Sequence, residues 1–265
     1  MTLVHSLFKQ NRSWIFGYAF GTSLYLFFLA AIFPSIKETG LIEGKLESLP
    51  PELLDVFKID PSLAMDNVVN LLAGNYYGLI FYVLAILFAL TFASRLMAKP
   101  VDSGEVMLYM AAPISRGAYV SASLIVLLLA TVLFVVLNGL SLTLADVMFD
   151  LGIDYGLMWT LQLNAGLLLL VLGAIAFVIA SLFDDSSRSY MVTGGLFALF
   201  LIANIFSGFS ETFSWLERLS VFSLFDANAQ LQGDVPTVSF LVLIGLLALS
   251  VVACYARFTR KDLSI

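Results

Sequence analysis

Six long runs of uncharged residues divide this sequence, and they limit its fold more than any other feature does. Each run is longer than the roughly 20 residues that an α-helix needs to cross the hydrocarbon of a bilayer. The runs lack the alternation of polar and apolar residues that marks the short strands of an outer-membrane barrel. The sequence therefore predicts an all-α polytopic membrane protein with six transmembrane helices. The predicted spans cover residues 13–36, 71–97, 117–145, 156–183, 189–210 and 235–257.

The composition supports a membrane protein and excludes several other classes. Hydrophobic residues make up 60% of the chain and charged residues 12%, whereas soluble domains have roughly 45–50% and about 25%. The net charge of -6 disfavours nucleic-acid binding, which requires a basic surface. The single histidine, His5, and the single cysteine, Cys254, provide neither paired haem ligands nor a zinc cluster, so we expect no metal site.

Lys and Arg residues are distributed unequally between the two sides of the predicted membrane. With six spans both termini lie on one side, and that side carries nine of the 13 basic residues. Because cytoplasmic loops carry an excess of Lys and Arg, both termini are predicted to be cytoplasmic. Five acidic residues fall on this side and 14 on the other, which gives a cytoplasmic face of +4 and an outer face of −10. The first span is expected to be retained, because it leads into Pro34 without a clear signal-peptide cleavage site.

Two predicted external connections are long enough to fold over the ends of the helices. The first covers residues 37–70 and contains a short amphipathic helix predicted at 50–57. The second covers residues 211–234, where aromatic and leucine side chains occur among polar ones, so this segment is predicted to be interfacial or re-entrant. Each is either a lid packed over helix ends or a region that contacts substrate.

The connection between the second and third spans, residues 98–116, is predicted to contain a short helix. Asp102 and Glu105 have the spacing of a helix-starting cap, and Pro113 is expected to end the helix. The helix would cover about 103–112 and expose soft apolar side chains beside basic residues. Such a helix is either a docking element for a groove in a partner or a surface helix that rests on the membrane.

Three segments of the sequence resemble ABC-2 type transporter permeases. Residues 103–116, which end in Pro113-Ile114-Ser115-Arg116, resemble the family's first cytoplasmic loop, where Ser-Gly-Thr-x-Glu and a run of leucines precede Pro-Ile-Ser-Arg. Residues 219–225 resemble its Leu-Ser-Pro-Phe segment, with Val221 in place of proline, and residues 258–263 resemble its C-terminal Phe-x-Arg-Arg-Asp-Leu. Six helices, cytoplasmic termini and a long first external loop also fit, so the resemblance covers the whole chain.

The resemblance implies a half-transporter with the fold of a type V exporter. Two copies of this chain, or one copy and a related permease, would enclose a pathway in the membrane lipid. Separate ABC ATPase subunits, which hold ATP and Mg, would drive it. The chain has no Gly-x4-Gly-Lys-Ser/Thr loop with which to bind ATP itself, so no cofactor is expected in it. The implied location is the plasma (inner) membrane of a bacterium or archaeon.

The resemblance also assigns roles to residues on the cytoplasmic side. Residues 3–12 resemble the family's interfacial elbow helix, and the helix at about 103–112 becomes a coupling helix seated in a groove of the ATPase. The turn at 184–188 is the second expected contact with the ATPase. The predicted ATPase-coupling residues are Ser103, Gly104, Glu105, Met107, Leu108, Met110, Pro113, Arg116, Asp184, Asp185 and Arg188.

Small and polar residues within the spans are candidates for two further roles. Glycines in the first and fifth spans are predicted to pack against a second permease, because dimers of the family meet through these helices. The predicted dimer-packing residues are Gly17, Gly21, Gly194 and Gly195. Strong polar groups at this depth either form ordinary interhelical hydrogen bonds or line the substrate path. The candidate pathway residues are Asn138, Gln162, Asn164 and Asn204.

The sequence therefore predicts the permease subunit of an ATP-driven exporter for an amphipathic substrate, such as a drug, a peptide antibiotic or a lipid. An ion such as sodium is a further candidate substrate. Two other classes stay open. A secondary transporter or channel usually has ionisable groups at mid-membrane, and the six runs contain none. An integral membrane enzyme would have to use loop carboxylates such as Asp184 and Asp185.

Overall fold

The structure, a computed structural model, describes residues 2–39, 68–106, 114–208, 211–231 and 237–261. Nearly every residue in these ranges is helical, and none of them lies in a strand. Six helices are long and apolar enough to cross a membrane, which confirms the predicted all-α architecture with six spans. They are α1 (Thr2–Thr39), α2 (Val68–Asp102), α3 (Arg116–Phe149), α4 (Tyr155–Leu182), α5 (Ser186–Ser207) and α7 (Thr237–Arg260), with the short helix α6 (Ala227–Leu231) before the last.

A single helix, α1, replaces the elbow helix and the first span that the sequence predicts as separate elements. No glycine or proline lies within three residues of the predicted boundary between residues 12 and 13. Beside that boundary, Asn11 donates its side-chain amide to the carbonyl oxygen of Leu7 at 2.9 Å, within the same helix. Nothing in this stretch therefore ends the helix. With 38 residues α1 is about 57 Å long, so it extends well beyond the roughly 30 Å of hydrocarbon.

The second span, α2, is irregular in two places. The turns Tyr76–Ile80 and Ser94–Ala98 have π-helical hydrogen bonding, and Gly78 leaves the helical region with φ −82° and ψ −132°. Glycine has no Cβ to oppose such a conformation. Non-helical backbone at membrane depth is tolerated only where protein or a polar cavity surrounds it, and Tyr76 and Tyr77 beside the break are buried.

The fourth span, α4, lies at the centre of the bundle and packs against α2, α3, α5 and α7. Glycines allow α3 and α4 to approach each other closely. A Cβ atom at Gly139 would lie 2.4 Å from the ring of Trp159, and one at Gly166 would lie 2.5 Å from Val135. Gly173 faces α3 in the same way. Small residues at a helix interface let the two backbones pack in van der Waals contact, so these glycines determine how α3 and α4 meet.

The first span runs parallel to α3. The ring centroids of Tyr18 and Phe134 are 5.7 Å apart, and the hydroxyl groups of Thr22 and Ser23 donate to the side-chain oxygen of Asn138 at 3.1 and 2.8 Å. Residue numbers rise together in the two helices. The Thr22–Asn138 pair gives an offset of 116 positions, which relates the depth of any residue in α1 to its neighbour in α3.

The segment between α5 and α7 folds into two 3₁₀ helices, Glu211–Leu219 and Phe222–Leu224, followed by α6. Phe222 and Phe225 are buried, and Tyr82 of α2 donates its hydroxyl group to the carbonyl oxygen of Phe225 at 2.8 Å. The segment therefore packs against α2, as a lid would, and its interfacial or re-entrant position stays a prediction. The short helix predicted at 50–57 lies outside the described residues.

One end of the bundle, which we call the terminal face, collects the functional predictions. Because successive spans alternate in direction, this end carries the start of α1, the α2–α3 connection, the α4–α5 connection and the end of α7. The guanidinium group of Arg95, near the end of α2, lies over the ring of Trp14 in α1 at 4.7 Å. The terminal face is the side that the distribution of basic residues predicts to be cytoplasmic.

Candidate functional site

The predicted coupling loop begins with a tight turn that ends α2. The backbone N–H and the hydroxyl group of Ser103 both donate to the carbonyl oxygen of Lys99, at 2.9 and 2.8 Å. Gly104 has a φ of 73°, which glycine adopts without strain, and its N–H donates to the carbonyl oxygen of Val101 at 3.2 Å. Ser103 and Gly104 therefore form a turn, whereas the sequence predicts them as the start of the helix at 103–112.

Asp102 does not begin a new helix, although its spacing from Glu105 predicts that it does. It is the last residue of α2, and its carboxylate accepts a 2.6 Å hydrogen bond from the hydroxyl group of Ser186. After the π-helical turn at Ser94–Ala98, α2 resumes as an α-helix over Lys99–Asp102. Pro100 lies in the first turn of this segment, where its missing N–H is tolerated, so the helix continues to Asp102. Glu105 is exposed, as a contact with a partner requires. The predicted contact residues Met107, Leu108, Met110 and Pro113 lie outside the described residues.

The second predicted contact with an ATPase is the turn between α4 and α5. Asp185 caps α5, because its carboxylate accepts hydrogen bonds from the backbone N–H groups of Ser187 at 2.7 Å and Arg188 at 3.2 Å. The Arg188 Nε atom lies 3.6 Å from the Asp185 carboxylate, and the two side chains are 73% and 49% exposed. An exposed pair of this kind contributes little to stability, so both side chains are available to a partner.

The two predicted contacts adjoin each other on the terminal face. The hydrogen bond between Asp102 and Ser186 joins the end of α2 to the start of α5. An open cavity of about 480 Å³ lies at this junction. The residues that line it are Lys99, Asp102, Ser103, Glu105 and Ser186. The structure therefore places the start of the coupling loop and the α4–α5 turn on one polar surface.

Arg116, predicted as a charged contact for the ATPase, holds the end of α7 in the structure. Its guanidinium group donates to the carbonyl oxygen of Thr259 at 3.4 Å and to that of Lys261. The last carbonyl groups of a helix have no partner within it, and an arginine side chain can supply one. Contact between Arg116 and an ATPase stays a prediction, while its contact with α7 is observed.

Lys261 is a residue of the terminal face that the sequence reasoning missed. Its side chain is only 6% exposed, its Nζ atom lies 3.0 Å from the Asp184 carboxylate, and it also donates to the carbonyl oxygen of Phe183. Lys261 therefore connects the end of α7 to the end of α4. A signal was present, because Lys261 is the second basic residue of the C-terminal segment that resembles the family's Phe-x-Arg-Arg-Asp-Leu ending.

Two of the candidate pathway residues, Asn138 and Gln162, are fully buried inside the subunit. The side-chain oxygen of Asn138 accepts the hydrogen bonds from Thr22 and Ser23, so it joins α3 to α1. Both polar atoms of the Gln162 side chain lack a hydrogen-bond partner among the described residues, although Tyr77 lies beside it. Asn138 thus has the interhelical role, and a pathway role for either residue stays a prediction.

The other two candidate pathway residues differ in exposure. Asn164 is fully buried, and its polar atoms make no hydrogen bond to the described residues. Asn204 lines a small cavity of about 50 Å³ beside the break in α2, together with Gly78 and Asp226. Asn204 is therefore placed at an open concavity, whereas Asn138, Gln162 and Asn164 are fully buried.

Three of the four predicted dimer-packing glycines lie on open surface. A Cβ atom added at Gly17, Gly21 or Gly195 would meet no atom of the described residues within 4 Å. A Cβ atom at Gly194 would contact Leu90 at 3.8 Å, so this glycine faces α2 of the same chain. The structure therefore leaves Gly17, Gly21 and Gly195 accessible to a second subunit, and their contact with one stays a prediction.

Comparison with known proteins adds one finding. A family model described as ABC-2 family transporter protein matches residues 12–263, which is nearly the whole chain. No curated protein sequence matches it. The matched region includes the coupling loop, the α4–α5 turn, and both Arg116 and Lys261.

Proposed function

The chain belongs to the ABC-2 family of transporter proteins, and we propose that it is the permease subunit of an exporter driven by a separate ATPase subunit. The family supports a membrane subunit of an ABC transporter, and the six apolar helices support a multi-pass membrane protein. The proposal adds that the terminal face is cytoplasmic, that the ATPase docks there, and that a second permease completes the pathway.

The observation that carries the proposal is the linkage of five helix ends on the terminal face. Asp102 joins α2 to α5 through Ser186, Lys261 joins α7 to α4 through Asp184, and Arg116 at the start of α3 binds the end of α7. A force applied at the coupling loop is therefore passed to several spans at once. This is the arrangement that a permease needs if a partner's movement is to change the packing of the whole bundle.

The proposed movement begins when two ATPase subunits bind ATP and close on each other. Their closure draws the two coupling loops together, and α2 and α5 move first because the loop and the α4–α5 turn adjoin at Ser186. The π-helical turns of α2 provide places where this span can change its hydrogen-bond register. The bundle then changes from inward-open to outward-open, which releases the substrate outside.

The proposed substrate is amphipathic, such as a drug, a peptide antibiotic or a lipid. Support comes from the uncharged spans, which offer no ionisable group to a strongly charged substrate. The buried amides inside the subunit, Asn138, Gln162 and Asn164, are uncharged as well. Export, as opposed to import, rests on the family resemblance.

Copurification with the ATPase subunit of the same transporter tests the proposal. The complex is expected to survive purification for the unaltered chain and to be lost, with the transport-linked ATP hydrolysis, in Glu105→Arg, because the substitution reverses the charge of an exposed residue at the proposed docking surface. Glu217→Arg is the matched control, since Glu217 is an exposed acid at the opposite end of the bundle. Retention of the ATPase and its activity by Glu105→Arg would contradict docking at this loop.

A further inference from the structure

An apolar groove runs along the outside of the subunit between the first part of α1 and α3. It has a volume of about 880 Å³, within the range of roughly 300–1,000 Å³ that is usual for ligand pockets. The residues that line this α1–α3 groove are Val4, His5, Phe8, Phe16, Ile125, Leu129, Val132, Leu133 and Val136. All of them except His5 are apolar, so the groove fits hydrocarbon.

The groove lies toward the start of α1, where the side of this helix that faces α3 becomes exposed. Ile15 and Ala19, further along α1 on the side that faces α3, are buried, whereas Arg12 is exposed although it lies on the same side of the helix. The rings of Phe8 and Phe16, one turn before and one turn after Arg12, meet edge to face at 6.4 Å. Arg12 therefore lies between two groove residues on the face of α1 that borders the groove.

Basic residues gather on α1 beside the groove, and none of them forms an ion pair with an acidic residue that the structure describes. His5, Lys9 and Arg12 are exposed within three turns of α1, and the first turn of the helix has no acidic residue. Within the described part of the chain, neither Lys9 nor Arg12 forms an ion pair. The positive charge is therefore available to an anion from outside the chain.

The basic residues lie at the depth where the apolar surface of α3 begins. With the offset of 116 positions between the two helices, Arg12 is level with residue 128 of α3. The exposed apolar surface of α3 starts at Ile125 and continues past Val136 into the span. A lipid headgroup and an acyl chain have the same arrangement along a membrane normal, with charge at the interface and hydrocarbon below it.

We propose that the α1–α3 groove binds one anionic phospholipid, with its phosphate beside Lys9 and Arg12 and an acyl chain along Val132 and Val136. Charge complementarity selects this occupant over a second copy of the chain. In a twofold contact the same groove of each copy would meet the other, so like charges would oppose each other. The open glycines Gly17 and Gly21, predicted for dimer packing, also lie about 160° around α1 from the groove face at about 100° per residue.

Native mass spectrometry of the purified chain tests the site without any ATPase, so its outcome is separate from that of the proposed function. The chain is incubated with phosphatidylglycerol or with phosphatidylcholine of the same acyl chains. We expect phosphatidylglycerol to be retained preferentially and its retention to fall about tenfold or more in Lys9→Gln/Arg12→Gln, since each basic residue near a membrane surface changes binding by about fivefold. The matched control is Arg257→Gln/Arg260→Gln, which removes two exposed cations from α7 at the same end and is expected to retain the lipid.

A second variant tests the apolar part of the groove while leaving the charges in place. Val132 is 48% exposed in the groove, and Val132→Trp is expected to fill it and to lower retention of the lipid. Leu144→Trp is the control, because Leu144 is 54% exposed on α3 outside the groove. The proposal is overturned if phosphatidylcholine is retained as strongly, if both groove variants retain phosphatidylglycerol, or if the α7 control loses it equally. A symmetric gel-filtration peak for each variant shows that it is folded.

Discussion

At the scale of single residues, the terminal face depends on charged side chains that bind backbone carbonyl groups. Lys261 donates to the carbonyl oxygen of Phe183 at the end of α4, and Arg116 donates to those of Thr259 and Lys261 at the end of α7. Both helix ends thereby gain partners for carbonyl groups that have none within the helix. The C-terminal residues of α7 are thus part of the surface proposed to receive the ATPase.

Lys261→Met is expected to destabilise the chain by about 1–3 kcal/mol, because a carbonyl oxygen and a carboxylate lose a charged donor that is almost fully buried. The measurement is thermal unfolding of the purified protein in detergent, followed by tryptophan fluorescence. Arg257→Met serves as the control, since Arg257 is exposed in the last turn of α7, four residues before Lys261. Equal unfolding temperatures for the two variants would show that Lys261 does not stabilise the terminal face.

At the scale of helices, the apolar runs predict where the spans lie but not how they hydrogen-bond internally. Hydropathy reports which residues lie within the membrane. For α4 the predicted span, residues 156–183, differs from the observed helix, Tyr155–Leu182, by one residue at each end. Hydropathy contains no signal for the two π-helical turns of α2. The first turn contains Gly78, which permits a departure from helical geometry, and the buried rings of Tyr76 and Tyr77. The second turn, Ser94–Ala98, has no such residue. The charged residues Lys9 and Arg12 likewise suggest a boundary between an elbow helix and the first span near residue 12. The structure instead has one continuous helix through this point.

The coupling loop shows the same limitation at a helix end. Capping residues are recognised by spacing, and Asp102 with Glu105 has the correct spacing for a cap. The carboxylate of Asp102 instead binds Ser186, which is distant in the sequence and close only after α2 and α5 have packed. A local rule cannot anticipate such a partner. The α4–α5 turn is different, because Asp185 caps α5 through its immediate neighbours.

The close packing of α3 against α4 leads to a prediction at this scale. Gly166→Ala would place a Cβ atom 2.5 Å from a methyl group of Val135, so the Val135 side chain or the helix backbones must shift, at a cost of about 1–3 kcal/mol. Gly245→Ala is the control, because a Cβ atom there meets nothing within 4 Å in the part of the chain that the structure describes. The measurement is the yield of monodisperse protein together with its unfolding temperature. If Gly166→Ala unfolds at the same temperature as Gly245→Ala, this packing is not as tight as the structure describes.

At the scale of the whole molecule, the exposed surface is suited to lipid and to a second subunit. The described parts of α5 and α7 present long apolar faces, with Leu199 64% and Leu241 65% exposed. Such faces are stable only in a membrane or under a partner. The family resemblance and the open glycines of α1 make the face around Gly17 and Gly21 the predicted permease interface.

Gly17→Leu/Gly21→Leu is expected to lower the dimer fraction at least severalfold while leaving the subunit folded. Leucine at these positions prevents close approach of a partner helix, and a Cβ atom at either one meets no described atom within 4 Å. Mass photometry in a fixed detergent measures the fraction of dimer. Gly245→Leu, at another open glycine, is the comparison. A dimer fraction that is unchanged, or that falls equally in the comparison variant, would exclude this face as the interface.

The central claim is that an ATPase docks on the terminal face, and site-specific photocrosslinking tests it most directly. A photoreactive residue is introduced at Glu105, at Arg188 or, at the opposite end of the bundle, at Glu217, and the permease is illuminated in complex with its ATPase. The account predicts crosslinks to the ATPase from positions 105 and 188, with yields that change when ATP is added, and none from position 217. Crosslinking from position 217 alone, or from none of the three positions in an intact complex, would contradict it.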